Sequence, residues 1–392
     1  MSEWKTIGEI AEIYDGPHAT PKKIEDGYYF LSISSLSNGK LDLSKSAKIC
    51  EDDYKKWTKR IVPIEGDLLF SYETRLGEAA LMPANLQACL GRRMGLLRPN
   101  LNFVRSDFLL FAWLSPEFQK VIKQNTITGA TVERIALSEL SDFPILLPSL
   151  NEQEKIVKIL TKLDQKIALN NKINEELEAM AKTLYDYWFV QFDFPDENGK
   201  PYKSSGGKMV YNNQLKREIP EGWGVKQLGE LAIATGKRDA NFGTENGQYD
   251  FWTTANEPIK ADEYSFEGKA ILIAGNGNFY INFTEGKFEA YQRTYVIQSA
   301  DENELLFMYP ACLQSIEKLR KGSNGSIIKY ITIGDVQNIS QPHCSVITNM
   351  FVDIFRPIMN TIQKNKQQNQ ELTQLRDWLL PMLMNGQVKV EG

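Results

Sequence analysis

The chain has 392 residues, which at roughly 100–200 residues per domain makes two to three domains with cores of their own. Hydrophobic residues at 42% and charged residues at 24% are ordinary for a globular protein, and the longest apolar stretches, such as Ala270–Ala274, are too short to cross a bilayer. A net charge of −5 excludes a uniformly basic coat and confines any polyanion binding to local surfaces.

Met1-Ser2-Glu3-Trp4 sets no basic segment ahead of an apolar run, so no signal peptide and a cytoplasmic location are expected. Further on come Ile7-Gly8-Glu9-Ile10-Ala11, echoed 221 residues later by Leu228-Gly229-Glu230-Leu231-Ala232, with Trp4 and Trp223 ahead of each. That period is far longer than a solenoid repeat of roughly 20–50 residues, so it marks a duplicated domain. The first copy, 1–148, mixes strand-like runs (Tyr28–Ile33, Asp67–Ser71) with an amphipathic helix from Phe108 to Gln124 interrupted at Pro116. That mixture predicts an α/β or α+β domain. Cys50, Cys89, Cys312 and Cys344 show no Cys-x-x-Cys spacing, as expected of reduced thiols.

Residues 149–190 contain neither Gly nor Pro, and Ser149 and Glu152 have capping-box spacing. Apolar residues recur at Ile156, Leu160, Leu163, Ile167, Leu177, Ala181 and Leu184, which predicts one helix of about 40 residues and roughly 60 Å. Asn170 and Asn174 occupy two places on its apolar seam. A turn-rich segment, 191–222, links to the second copy at 223–345, in which Tyr249 and Phe251 match Tyr28 and Phe30, and Ile271-Leu272-Ile273 matches Leu68-Leu69-Phe70. A second long helix, 346–386, repeats the seam through Ile358, Ile362, Leu372, Leu379 and Leu383, with Asn365 and Asn369 in the same two slots. Pro357 predicts a kink there or a first helical position. Two helices with matching Asn pairs register if they lie antiparallel about a pseudo-two-fold axis, bringing all four Asn together at mid-length. The alternative is that each helix exposes its Asn and packs on its own domain.

Catalytic patterns are lacking. Only His18 and His343 are present, too few for a His-rich metal site or a Ser/His triad. Gly275-Asn276-Gly277-Asn278-Phe279 has no third Gly for a dinucleotide fingerprint, and Gly236-Lys237, Gly268-Lys269 and Gly286-Lys287 belong to no phosphate loop. No Asn-Pro-Pro-aromatic element exists to hold a flipped base. Glu267-Gly268-Lys269 and Glu285-Gly286-Lys287 echo the Glu-x-Lys of nucleases but read as turns, without an upstream metal-binding Asp.

Polar loops remain. Asp15–Lys22 offers His18, Thr20 and Lys22, and its counterpart Thr235–Gly243 offers Lys237, Arg238 and Asn241. Asn276, Asn278, Gln292 and Arg293 add groups of the kind that read base edges, Arg for guanine and Asn or Gln for adenine. Arg92 and Arg93 stand in an acid-free stretch, as do Lys321, Asn324 and Lys329, while Arg75, Thr128 and Thr131 complete the candidate DNA contacts. Ordinary turns and solvated faces explain any one of them; the set, recurring in matching loops of two domains, favours recognition.

Three stretches together resemble a known family. They are Pro148-Ser149-Leu150-Asn151-Glu152-Gln153, similar to a Pro-x-Leu-x-Glu-Gln helix start; Leu184–Phe194 running into Ile219-Pro220-Glu221-Gly222-Trp223; and Leu375–Gly386. The chain is similar throughout to the DNA specificity subunit of Type I restriction–modification systems, departing at His343-Cys344-Ser345-Val346, where the Pro-x-Leu-x-Glu-Gln pattern is replaced. The resemblance implies two target-recognition domains, each reading half of a bipartite, asymmetric site in double-stranded DNA. It also implies two antiparallel helices serving as ruler and as dock for two adenine methyltransferase subunits, with two motor-nuclease subunits joining for restriction. S-adenosylmethionine, ATP and Mg would then belong to those partners, and this chain would hold no cofactor and catalyse nothing. A Type IIB-like combined restriction–methylation enzyme would use the same architecture, and a coiled-coil scaffold without DNA is the reading from another class.

Overall fold

The computed structural model describes residues 2–17, 19–127, 132–245, 247–323, 325 and 329–388. The chain forms two compact units, Met1–Leu169 with Gln368–Gly392, and Asn170–Gln367. The division falls inside both long helices.

The first unit is built on a four-stranded antiparallel sheet in the order Ala11–Asp15, Met94–Pro99, Leu68–Ser71, Ala79–Leu81. Its inner strand is apolar on both faces because both are covered. Leu68 and Phe70 enter the core with Phe108, Leu109 and Trp113, whereas Leu69 enters a second cluster with Met94 and Leu96. This is the period-two alternation of a strand buried between two layers, each large side chain adding about 1.5–3 kcal/mol of burial. A smaller sheet (Ala47–Ile49, Tyr28–Phe30, Ala88–Cys89) contains one parallel pairing, and Glu3–Thr6 pairs with Pro144–Leu147. Helix Ser106–Leu114 ends where Ser115 caps a second helix, Pro116–Gln124, with Pro116 in its first turn.

The second unit repeats this frame. Its main sheet runs Ala232–Thr235, Thr294–Gln298, Ala270–Ala274, Ile281–Thr284 in the same antiparallel order. Tyr249–Trp252 again pairs parallel to one neighbour, Lys287–Ala290, and Gly224–Gln227 pairs with Ser340–His343. A single helix, Glu302–Gly322, replaces the broken pair and carries Pro310 inside it. The fold is mixed α/β, duplicated.

The first long helix spans Leu150–Tyr185 and ends in a wide turn, Asp186–Val190. Its start is fixed by the capping box, Ser149 N–H donating to Glu152 Oε2 at 3.0 Å. Gln153, fully buried, adds three more bonds: Nε2 donates to the carbonyls of Phe103 and Pro148, both at 2.9 Å, and Oε1 accepts from Arg105 N–H at 2.9 Å. In the first unit this helix runs antiparallel to the second: Ile156, Val157 and Leu160 share a core with Leu380, Leu383 and Met384, and Asp164 pairs with Arg376 at 3.0 Å. In the second unit the same antiparallel sense brings Tyr185 edge-on to Phe351. There Asn365 Nδ2 donates to Asn174 Oδ1 at 2.8 Å, with Asn174 buried and Asn365 half-buried. Asn170 is also buried on its helix and Asn369 half-buried.

One expectation needs correction: Pro357 does not take a first helical position, since it lies inside the second long helix, which runs from Ser345 to Met384. The lost backbone bond is outweighed by Phe351, Val352, Phe355 and Met359, all buried around it. The linking segment 191–222 is rich in turns and is also packed. Phe194 stacks on Trp223 and Tyr202, Arg217 donates to the Phe189 carbonyl at 2.8 Å, and Met209–Asn212 pairs with Arg217–Pro220. Among the described residues, no helix is long and apolar enough to cross a membrane. The four cysteines are free, with burial pushing the Cys89 thiol up to about 12.

Substituting Asn174 alone by Leu leaves the Asn365 amide without its partner and is expected to cost about 1 kcal/mol in thermal unfolding. Replacing Asn174 and Asn365 together by Leu restores or raises the melting temperature, because an apolar pair carries no unmet hydrogen bond. Gln153→Ala orphans three backbone groups and is expected to lower stability by roughly 1–3 kcal/mol in the same measurement.

Candidate nucleic-acid interface

At one end of the main sheet, three loops meet in each unit. The loop after the first strand turns over the strand beside it: Gly16 N–H donates to the Met94 carbonyl, and Gly236 N–H to that of Thr294, both at 2.9 Å. A side chain has no room at either glycine, since a Cβ would lie 2.4 Å from the Gly91 oxygen and 2.1 Å from the Tyr291 oxygen. The next loop binds the carbonyl of Arg93 through Tyr72 N–H at 3.2 Å, and that of Arg293 through Gly275 N–H at 2.7 Å. A third segment closes the group through Ile135 N–H to Tyr72 O at 2.9 Å and Ile331 N–H to Gly275 O at 3.0 Å. Thr74 and Gly277 occupy the same left-handed place, with φ of 71° and 74°. The scaffold is made of main-chain atoms, and the side chains on it differ freely.

Most of the sequence-predicted contacts fall on these loops. In the first unit Thr20, Lys22 and Arg92 are exposed. Arg93 is drawn inward to Glu73 Oε2 at 2.7 Å, and Arg75 to Glu78 Oε1 at 3.1 Å. His18, Thr128, Thr131 and Asn324 lie outside the described residues. The sequence reading missed a basic run beside Asp15: Lys56, Trp57, Lys59 and Arg60 line a cavity of about 110 Å³ with Pro17 and Leu90. Arg60 reaches Asp15 Oδ1 at 2.5 Å while remaining 71% exposed. Lys55-Lys56-Trp57-Thr58-Lys59-Arg60, four cations around a tryptophan, was the available signal.

In the second unit an open cleft of about 350 Å³ is lined by Thr235, Gly275, Gln292, Arg293, Tyr295, Tyr330 and Ile331. Gln292 and Arg293 are exposed, and Tyr330, absent from the expected set, is 42% exposed beside them. This combination offers an amide, a guanidinium and an aromatic face in one concavity. Burial, with Asp335 adding to it, holds the Tyr295 phenol above its usual range, so it stays protonated and donates to the Ile331 carbonyl at 3.0 Å. Asn276 sits at the cleft edge, its backbone bridged to Tyr330, and Asn278 donates to the Tyr280 hydroxyl at 3.1 Å. Lys237, Asn241, Lys321 and Lys329 are exposed.

Arg238 departs from the role expected of a base reader. It is held by Glu263 at 2.6 Å and Glu289 at 3.3 Å, and it lies 4.3 Å over the Phe242 ring. Glu289 is completely buried, so its carboxylate requires that guanidinium and the Ser265 hydroxyl. Lys269 likewise pairs with Glu302 at 2.6 Å; against the desolvation that opposes it, Lys269 and Arg356 hold the Glu302 carboxyl below its usual range. Lys287 lies 4.7 Å over the Tyr264 ring. His343 packs edge-on to Phe307, and burial lowers its pKa. No group of three His, Cys, Asp or Glu suited to a metal occurs among the described residues.

The chain matches the family model described as "Type I restriction modification DNA specificity domain" over residues 1–179 and 220–374. It is 27% identical to the Type I restriction enzyme MjaIX specificity subunit of Methanocaldococcus jannaschii, over 99% of this chain and 93% of that protein. It is 34% identical to the Type I restriction enzyme EcoDI specificity subunit of Escherichia coli, over 44% of this chain and 40% of that protein. The Type I restriction–modification S subunit of M. genitalium shares its fold, with a TM-score of 0.57 at 16% identity, covering 98% of this chain and 96% of that one. Two matched segments that together span more than half of the length, on a frame that occurs twice, place the chain in one family: it belongs to the Type I restriction–modification DNA specificity proteins.

Proposed function

We propose that the chain is the sequence-reading, non-catalytic subunit of a cytoplasmic Type I restriction–modification enzyme. Each unit reads one half of a bipartite, asymmetric site in double-stranded DNA, and the long helices set the distance between the halves. The observation that carries this reading is the pair of equivalent three-loop clusters, which share the main-chain bonds of Gly16 and Gly236, Tyr72 and Gly275, and Ile135 and Ile331, and differ in side chains. A duplicated enzyme would keep its reacting groups in both copies; a duplicated reader keeps the frame and varies the contacts. Arg293, Gln292 and Tyr330 in the second unit, and Thr20, Lys22, Arg92 and the Lys56–Arg60 run in the first, are the groups that would meet DNA.

Two adenine methyltransferase subunits would dock on the helices, and two motor-nuclease subunits would join for restriction, bringing S-adenosylmethionine, ATP and Mg with them. Val346, Met350 and Ile354 support a docking role. Spaced four residues apart on the second long helix, they form one stripe and stay 66%, 40% and 47% exposed.

Retention of a DNA duplex by the chain with its methyltransferase partner, at stated salt, tests the reading; no retention at any salt would favour a scaffold. Arg293→Ala is expected to relax one half of the methylated motif, losing about 1–3 kcal/mol of discrimination, and to leave the other half unchanged. Long-read mapping of methylated adenines in cells carrying the partners measures both, and a change in both halves refutes independent reading. Lys321→Ala should instead weaken binding to all sequences and flatten its salt dependence. Ile354→Glu is expected to abolish co-purification of the methyltransferase while the melting temperature of the isolated chain stays within a few degrees of wild type.

A further inference from the structure

The two units place an arginine at the same point of the frame and give it opposite surroundings. Arg93 and Arg293 are equivalent by register, each preceding the residue (Met94, Thr294) that pairs with the end of the central strand (Ser71, Ala274). Each gives its carbonyl to the next loop, whose following residue is Glu73 in the first unit and Asn276 in the second. The backbones of Glu73 and Asn276 are fixed alike by isolated bridges to Arg134 and Tyr330. Their side chains act differently. Glu73 Oε2 lies 2.7 Å from Arg93 Nε, with the two side chains only 22% and 33% exposed. Asn276 carries no charge, and its Oδ1 is buried with no hydrogen-bond partner among the described residues. Arg293 is exposed on the cleft and makes no ion pair among the described residues.

A carboxylate in contact with a guanidinium cancels most of its field and holds it against the protein rather than against a phosphate or the O6/N7 edge of guanine. An amide at the same point does neither. We propose that this single position, Glu73 in one unit and Asn276 in the other, decides whether the adjoining arginine is available to DNA. Arg93 is masked and Arg293 is free, so this point of the frame offers DNA a cation in the second unit and withholds one in the first. The inference rests on the DNA-reading function proposed above.

The test is the salt dependence of binding of the full chain to a mixed-sequence DNA duplex. Glu73→Gln, close to isosteric, is expected to tighten binding roughly twofold to fivefold. It should also steepen the slope of log affinity against log salt by about 0.9, the increment for one added phosphate contact. Asn276→Glu is expected to weaken binding and flatten the slope by the same measures. Arg93→Ala should change little in the wild-type chain but remove the whole gain of Glu73→Gln, a coupling that a purely structural ion pair would not produce. If the wild-type chain binds the duplex and neither charge substitution moves affinity or slope, masking is wrong. A Glu73→Gln chain that melts lower and binds no better assigns the pair to fold support and also overturns it. Failure of the wild-type chain to hold the duplex at any salt overturns the DNA-reading function itself, and the masking with it.

Discussion

The structure depends on a set of backbone hydrogen bonds that involve no side chain. Gly16 to Met94, Tyr72 to Arg93 and Ile135 to Tyr72 in one unit, with their counterparts in the other, tie three loops to the end of a sheet. Every non-proline residue carries the same donor and acceptor, so such a network survives almost any change of side chain. The exceptions are places where backbone crosses backbone, and there glycine stands in both units, at 16 and 236. A surface fixed in this way separates shape from chemistry. The sheet and its loops hold position, and the residues they display are left to be chosen by whatever they touch.

Charge follows the same division. Several cations that look available in the sequence are spent inside the fold: Arg238 on the buried Glu289, Lys269 on Glu302, Arg75 on Glu78. Lys22, Arg92, Lys237 and Arg293 stay exposed on the loops, and such local surfaces reconcile a net charge of −5 with a polyanionic partner. A protein that must release wrong sequences gains from this economy. A broad basic face would hold all DNA alike, whereas a few cations on shaped loops add affinity mainly where the shape also fits.

The long helices, the duplication and the capping box at Ser149 and Glu152 were legible in the sequence because each is a local or periodic signal. So was the break at Pro116. The pairing of arginines was not, because the partners are distant in sequence and are brought together by strand register: Glu73 lies twenty residues before Arg93, and Glu289 lies fifty-one after Arg238. The first helical position offered for Pro357 failed for the opposite reason. Its local preference is strong, but the aromatic residues packed around its helix decide the outcome. The basic run near Arg60 shows a third way of missing a site: it has no counterpart in the second copy, and comparing repeats draws the eye only to what recurs.

The packed segment between the repeats has a consequence for any chain shorter than this one. Phe189 at the end of the first long helix is buried by Trp223, Phe307 and Phe351, and Phe192 by Trp223 and the Arg217 guanidinium. A translation product stopping near residue 190 would carry Trp188 and Phe189 uncovered into solution, a sticky end prone to aggregation. A half-length version of this protein is therefore viable only if a second molecule supplies that cover. Shortening the chain converts an internal packing problem into a requirement for self-association.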